Sequence, residues 1–376
     1  MIPASYRIEG PAGAPLLILA NSLGTTSAMW DPQMPAWTAR FRVLRFEHRG
    51  HGGTPAAAGP YRLDELADDL VDLLDHLGEE SASACGLSIG GMVALSLASR
   101  YPDRVDGLVL ACTAAALPPA EAWSERAASV REKGTAFLLD ALLGRWFTPG
   151  FADRAPEVGA SLKAMLASAD PEGYAGCCEA IGAADLHEAM AGVRAPTLVL
   201  AGAADPVAPP PMALELAEGI DGAALLVLPG AAHLANIEQP DRFATAVVDH
   251  LCGPAFGRGD ATRRAVLGDA HVDRSDAART AFNAPFSDFI TRYAWGDIWT
   301  RPGLDRRTRS FITLALLAGL GRTEELPLHV RGARNNGLSD AEIAEVLLHT
   351  AVYAGVPAAN SAFAVARRTL EEMDDA

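Results

Sequence analysis

The sequence predicts an α/β fold over residues 1–252 of its 376 residues and an all-α segment after it. Three observations predict this. Short apolar runs alternate with segments of helical period as far as about residue 251, which implies a parallel sheet covered on both faces. Residues 84–92 hold Gly86, Ser88 and Gly90 in the G-x-S-x-G spacing of a strained strand-to-helix turn that exposes a serine. Beyond Leu251 no convincing strand pattern occurs.

Taken in order, Leu16–Ala20 is an apolar run ending in Asn21, Ser22, Leu23, Gly24 and Thr25, and reads as a buried strand entering a turn. Residues 41–47 form a second strand, whose exit is crowded with glycines and charges from His48 to Gly53. Leu63, Leu66, Leu70, Leu73, Leu74 and Leu77 recur at helical spacing, and Gly78 marks the stop. The elbow strand is next, then a helix to about Arg100 and a strand over 107–112. From about 118 to 190 the pattern is helical and rich in Ala, Trp and Arg, an insertion between strands where a cap is expected. Strands resume at 197–200 and at Ala224–Leu228, the first running into a turn with Asp205 and the second into a turn with His233.

Each polar residue taken singly has a bland explanation. A G-x-S-x-G is often only a tight glycine turn, an Asp before Pro206 is commonly a turn former, and a lone histidine is usually structural. The chain order Ser88, Asp205, His233, each at a strand exit, is that of a serine nucleophile, an orienting acid and a general base. The ordered set therefore reads as a catalytic triad.

Composition bounds what such a site serves. With 49% hydrophobic and 21% charged residues the chain is that of a soluble globular protein, and no apolar run reaches the roughly 18 residues of a membrane span. Pro3, Ser5, Tyr6 and Arg7 follow the first methionine in place of a secretory signal, so a cytoplasmic location is expected. Five cysteines, with Cys177 and Cys178 adjacent, make neither a disulfide ladder nor zinc-ligand spacing, so no metal is expected. A net charge of -16 argues against nucleic acid or an anionic membrane as partner. An anionic substrate would need local arginines to capture it.

Residues 10–250 resemble the α/β-hydrolase superfamily, and more narrowly the 3-oxoadipate enol-lactone hydrolases. The narrower likeness rests on Asn21-Ser22-Leu23-Gly24-Thr25, Met29-Trp30-Asp31-Pro32-Gln33, Arg49-Gly50-His51-Gly52, the elbow from Gly86 to Gly91, and the cap segment Arg145-Trp146-Phe147-Thr148-Pro149. Glu47-His48 departs from the family pattern, in which an aspartate is common before the arginine. The resemblance implies that the amides of Leu23 and Ile89 form the oxyanion hole. It also implies a substrate with a free carboxylate, for which Arg145 beside Trp146 is the candidate cap cation; a solvated cap arginine is the alternative.

After a glycine-rich break at 253–260, expected as a linker, residues 261–376 read as helices at about 275–294, 305–320, 323–335, 339–349 and 358–373. Ser339 and Glu342 form a capping box. The run from Phe311 to Leu317 is apolar on nearly all sides, so its helix must be buried within the domain or between subunits. This part resembles 4-carboxymuconolactone decarboxylases through residues 264–273, Ala294-Trp295-Gly296-Asp297-Ile298-Trp299, Arg307-Thr308-Arg309-Ser310, residues 324–329 and residues 355–360. The wider superfamily includes thiol peroxidase-like members, but no cysteine lies beyond Cys252, which favours the decarboxylase branch.

The likeness implies cofactor-free loss of a carboxylate from an unsaturated lactone. Glu325 and His329, four apart, are the acid/base candidates, although a solvated ion pair has the same spacing. Arg306, Arg307 and Arg309 are candidates to clamp substrate carboxylates, and His271 and His349 are read as structural. Together the two resemblances imply a bifunctional enzyme of protocatechuate breakdown acting on small anionic lactones, assembled as a homo-oligomer through the helical domain. A general carboxylesterase with a merely structural helical domain is the rival, and a scaffold with a vestigial triad a more distant one. Dehalogenases and epoxide hydrolases use an aspartate where this chain has Ser88.

Overall fold

A computed structural model describes residues 5–280 and 282–374. The chain divides into two compact units between Leu251 and Cys252.

The first unit is built on a seven-stranded sheet of order β1-β3-β2-β4-β5-β6-β7. The strands are β1 Tyr6–Glu9, β2 Leu16–Ala20, β3 Arg42–Phe46, β4 Ala82–Leu87, β5 Val105–Ala111, β6 Thr197–Gly202 and β7 Ala224–Leu228. From β3 to β7 all neighbours pair in parallel. β1 departs from the expected all-parallel sheet, because it pairs antiparallel with β3 as an edge. Only four residues long and half-exposed, it has no apolar run by which to be seen.

Central strands are buried on both faces, as a parallel sheet between helices requires; Leu17, Leu19, Leu44 and Val109 are inaccessible to solvent. Helix Leu63–Leu77 buries its leucine stripe and ends at a left-handed Gly78. Helix Ile89–Arg100 is buried from Ile89 to Ala98 and fixes the elbow against the sheet. Between β5 and β6 lie the helices Ala120–Lys133, Leu139–Trp146, Pro156–Ser168 and Pro171–Gly182, with shorter turns between them.

The second unit is helical throughout its described regular structure. The segment expected as a linker is helical, since Pro254–Leu267 is one helix and only Gly253, at φ +88°, breaks it from the helix Pro240–Cys252. Proline suits a first helical turn, where its missing N–H is not needed. The helix expected over 275–294 is instead interrupted. Asp269–Ala277 ends, and Asn283 closes the break by accepting the Thr280 N–H at 2.8 Å and donating to the Ala278 carbonyl at 3.1 Å. Ala284–Ile290 then leads into a π-helical turn, Thr291–Ile298.

Arg306–Gly319, Leu326–Asn335, Asp340–Ala354 and Val356–Asp374 complete the unit. The capping box is formed, with Glu342 accepting the Ser339 N–H at 2.8 Å. The helix through Leu314 is not buried all round within its unit. Leu314 is inaccessible, whereas Ile312, Leu316 and Leu320 are 44%, 57% and 70% exposed and share one stripe at four-residue spacing. No helix among the described residues is long and apolar enough to cross a membrane.

Candidate active site

β4 delivers Ser88 into a turn with φ +60° and ψ −122°, a region non-glycine residues rarely occupy. Close packing over-determines that strain. A Cβ on Gly86 would overlap the Gly90 carbonyl, and one on Gly90 would overlap the carbonyl of Ala20 on β2. The Ser88 carbonyl is held by the Thr113 hydroxyl at 2.7 Å, and its amide donates to the Ala111 carbonyl at 3.0 Å.

Two further strand exits on the same sheet bring the partners. Past β6, Asp205 accepts the Val207 and Ala208 amides on one oxygen at 2.8 and 3.1 Å. Its other oxygen lies 2.9 Å from His233 Nδ1, and His233 Nε2 lies 3.0 Å from Ser88 Oγ. All three side chains are buried. A carboxylate only accepts, so Nδ1 carries the proton and Nε2 presents its lone pair to the serine hydroxyl. Among the described residues neither the Leu23 N–H nor the Ile89 N–H donates to a protein group; the first lies in the turn that leaves β2 next to β4, and the second directly follows Ser88.

The cap is tied to the histidine loop. The Trp146 carbonyl accepts the Leu234 N–H at 2.9 Å. Glu238 accepts the Thr148 amide and hydroxyl on one oxygen, at 2.9 and 2.6 Å, and the Ala232 amide on the other at 2.5 Å. Trp146 is buried, whereas Arg145 is exposed on the cap surface, so its neighbour and not the arginine is packed into the unit. Cys85, Cys112, Cys177 and Cys178 are buried, and burial pushes their thiols upward, that of Cys178 to about 12, so they pack as neutral side chains.

In the second unit Glu325 stands at the N-cap of Leu326–Asn335, and its carbonyl accepts the His329 amide at 3.4 Å. The two residues thus share a helical turn. Burial lowers the pKa of His329, with the Glu325 carboxylate opposing that shift and His271 reinforcing it. His271 is lowered by its own burial and by Arg263, Arg274 and Arg331. The three expected arginines differ in their surroundings. Arg307 bonds Glu342 at 2.5 Å and the Gly337 carbonyl, Arg309 donates to the Arg301 carbonyl at 2.9 Å, and Arg306 is exposed. Arg307 is therefore committed to joining two helices. No cluster of three or more histidine, cysteine, aspartate or glutamate side chains placed to hold a metal ion is found among the described residues.

A family model for the alpha/beta hydrolase fold matches residues 15–240, and one for the carboxymuconolactone decarboxylase family matches residues 284–368. The chain is 41% identical over 246 residues to 3-oxoadipate enol-lactonase 2 of Acinetobacter baylyi, an alignment covering 65% of this chain and 92% of that protein. It is 44% identical over 118 residues to 4-carboxymuconolactone decarboxylase of the same organism, covering 31% of this chain and 88% of that protein. The chain belongs to the α/β-hydrolase fold family and, through its second unit, to the carboxymuconolactone decarboxylase family. The crystal structure of the enol-lactonase from Burkholderia xenovorans superposes on the hydrolase unit with a TM-score of 0.65 at 43% identity, covering 66% of this chain and 96% of that one.

Sequence reasoning reads His271 in the decarboxylase-family unit as structural and gives Glu238 in the hydrolase unit no role. His271 lies within a stretch that carries the family likeness, but only folding brings Asp269–Ala277 beside His329. Glu238 had no signal of its own, since a single glutamate in a short helix is the commonest of surface features.

Proposed function

We propose that the chain performs two consecutive reactions: decarboxylation of 4-carboxymuconolactone to 3-oxoadipate enol-lactone, then hydrolysis of that enol-lactone to 3-oxoadipate. The observation that carries this reading is the fusion itself. Relatives of the two units, each matched over most of its own length, are named for activities of which one makes the substrate of the other. The carboxylesterase reading leaves the second match unexplained.

In the hydrolase unit, His233 takes the Ser88 proton as Oγ attacks the lactone carbonyl, and Asp205 holds the imidazole in the required tautomer. The Leu23 and Ile89 amides are the donors for the developing oxyanion, each worth about 10² to 10³ in rate in comparable sites. The ring C–O bond breaks with little acid assistance, because the leaving group is an enolate that becomes a ketone. Water activated by His233 then releases the acyl-enzyme. Arg145 stays the cap candidate for the free carboxylate, with a solvated cap arginine as the alternative that its exposure also fits.

In the second unit, the electrons of the breaking C–C bond pass through the conjugated double bond to the lactone carbonyl, carbon dioxide leaves, and the dienolate is protonated at carbon. Glu325 and His329 are the groups suited to move that proton. Arg263, Arg274 and Arg331, the arginines around His271, supply a positive field for the substrate carboxylates, a task in which Arg306 and Arg309 are weaker candidates. The exposed stripe of Ile312, Leu316 and Leu320 supports assembly of copies through this unit, since water-facing aliphatic side chains in one row are what an interface buries.

The test is direct: the purified full chain, given 4-carboxymuconolactone alone, releases carbon dioxide and 3-oxoadipate in equal amounts. Hydrolysis of supplied enol-lactone with no consumption of 4-carboxymuconolactone would reduce the reading to its second reaction.

A further inference from the structure

We propose that His51 is a positioning residue of the hydrolase site: its neutral imidazole accepts the Gly24 N–H and so sets the turn that carries the Leu23 amide. The proposal rests on the reading of Ser88 as nucleophile and Leu23 N–H as oxyanion donor.

Residues 21–25 leave β2 as a turn, and turns need partners to hold one conformation. Here the partners come from the exit of β3. His48 Nε2 donates to the Asn21 carbonyl at 3.0 Å. Glu47 accepts the Asn21 side-chain amide at 3.1 Å and the Ser27 N–H at 3.0 Å. His51 Nε2 lies 3.1 Å from the Gly24 nitrogen, the amide that directly follows Leu23. Of the amides from Ser22 to Thr25, Ser22 donates to the Met29 sulfur, Gly24 to His51 and Thr25 to the Ser22 carbonyl. The Leu23 amide alone in that series has no protein partner among the described residues.

The tautomer of His51 follows from its other nitrogen. Nδ1 is 3.0 Å from the Arg49 carbonyl, which can only accept, so Nδ1 carries the proton and Nε2 is left as a lone pair. A backbone N–H needs that lone pair. Burial holds the ring in its neutral form by lowering its pKa, as it does for His48 beside it. One ring thus fastens the Gly24 amide to the chain at Arg49. The geometry matters because an oxyanion donor acts through its aim; displacement by about 1 Å is enough to cost about a hundred-fold in rate.

The experiment uses the full chain as parent, His51→Phe, His51→Asn and His51→Gln. Each is assayed for enol-lactone hydrolysis and for inhibition by an alkyl boronic acid, whose tetrahedral serine adduct places an oxygen where the oxyanion forms. The expected result for His51→Phe is a fall in kcat of about ten- to a hundred-fold with KM nearly unchanged. The boronate inhibition constant should rise by the same factor. His51→Asn, too short to reach Gly24, behaves likewise, and His51→Gln, whose amide oxygen can accept the same N–H, recovers most of the loss.

A folded His51→Phe or His51→Asn that matches the parent in kcat and boronate affinity overturns the proposal. So does a loss of melting temperature with boronate affinity unchanged, which is the signature of a core histidine alone. If His51→Phe does not fold, the contrast between His51→Asn and His51→Gln decides, and equal affinities overturn the proposal. A parent chain that neither hydrolyses the lactone nor binds the boronate overturns the serine reading beneath it, and is told apart because the parent itself fails.

Discussion

Glu238 holds Thr148 of the cap, accepting its amide at 2.9 Å and its hydroxyl at 2.6 Å across 90 residues of chain. The same carboxylate takes the Ala232 amide, next to His233, so cap and histidine loop share one anchor. Hydrogen bonds to a charged group contribute about 1.5–3 kcal/mol each. Glu238→Ala is expected to raise KM and lower kcat together in steady-state enol-lactone hydrolysis. Glu238→Gln keeps an oxygen for Thr148 and loses the acceptor for Ala232, so kcat should fall with KM near the parent's. Unchanged kinetics in both variants would remove the anchor from the account.

Asp205 spends one oxygen on the Val207 and Ala208 amides and the other on His233 Nδ1. Asp205→Asn keeps the shape but turns a donor toward the ring, which favours the wrong tautomer. A fall in kcat of about 10⁴-fold is expected, the cost of that change in a comparable triad. A loss under tenfold in the measured kcat would mean that another acid orients His233.

His48 is buried, and burial lowers its pKa to about 3. Between that value and the ordinary histidine range of about 6.5 the unfolded chain binds a proton that the folded chain refuses. The stability due to neutral His48 is therefore complete above about pH 6.5 and declines as pH falls, by about 1.4 kcal/mol per pH unit. His51, lowered in the same direction, adds to the slope. His48→Gln should be less stable at neutral pH yet show a flatter decline between pH 6.5 and 5 in urea titrations followed by enol-lactonase activity. Parallel slopes in parent and variant would contradict this.

Leu316 is 57% exposed in the middle of an apolar stripe. Leu316→Glu is expected to lower the mass found by sedimentation while leaving the unit's helicity intact, because the side chain contributes little to its own core. An unchanged mass would show that copies do not meet through this face.

How much of this was legible depends on whether the signal was local. β2, β5 and β6 show in the sequence because strands buried on both faces are continuous apolar runs, whereas Tyr6–Glu9 pairs on one edge only and has no such run. The Ser88, Asp205 and His233 positions were readable because each follows a recognisable strand and the chain order constrains them jointly. Pro254 looked like part of a linker, since proline after glycine marks both a break and a helix start. Arg307 reads as available in the sequence because Glu342, which holds it, lies 35 residues on. His271 and His51 meet His329 and the Gly24 amide only through tertiary structure.

The central claim is that one chain carries two sites working in sequence, and its sharpest test separates them by substitution. Parent, Ser88→Ala and His329→Gln chains are each given 4-carboxymuconolactone, and lactone, enol-lactone and 3-oxoadipate are followed together. The account predicts 3-oxoadipate from the parent, accumulated enol-lactone from Ser88→Ala, and unconsumed 4-carboxymuconolactone from His329→Gln, which still hydrolyses enol-lactone when supplied. Formation of 3-oxoadipate by Ser88→Ala at the parental rate, or parental decarboxylation by His329→Gln, would contradict it.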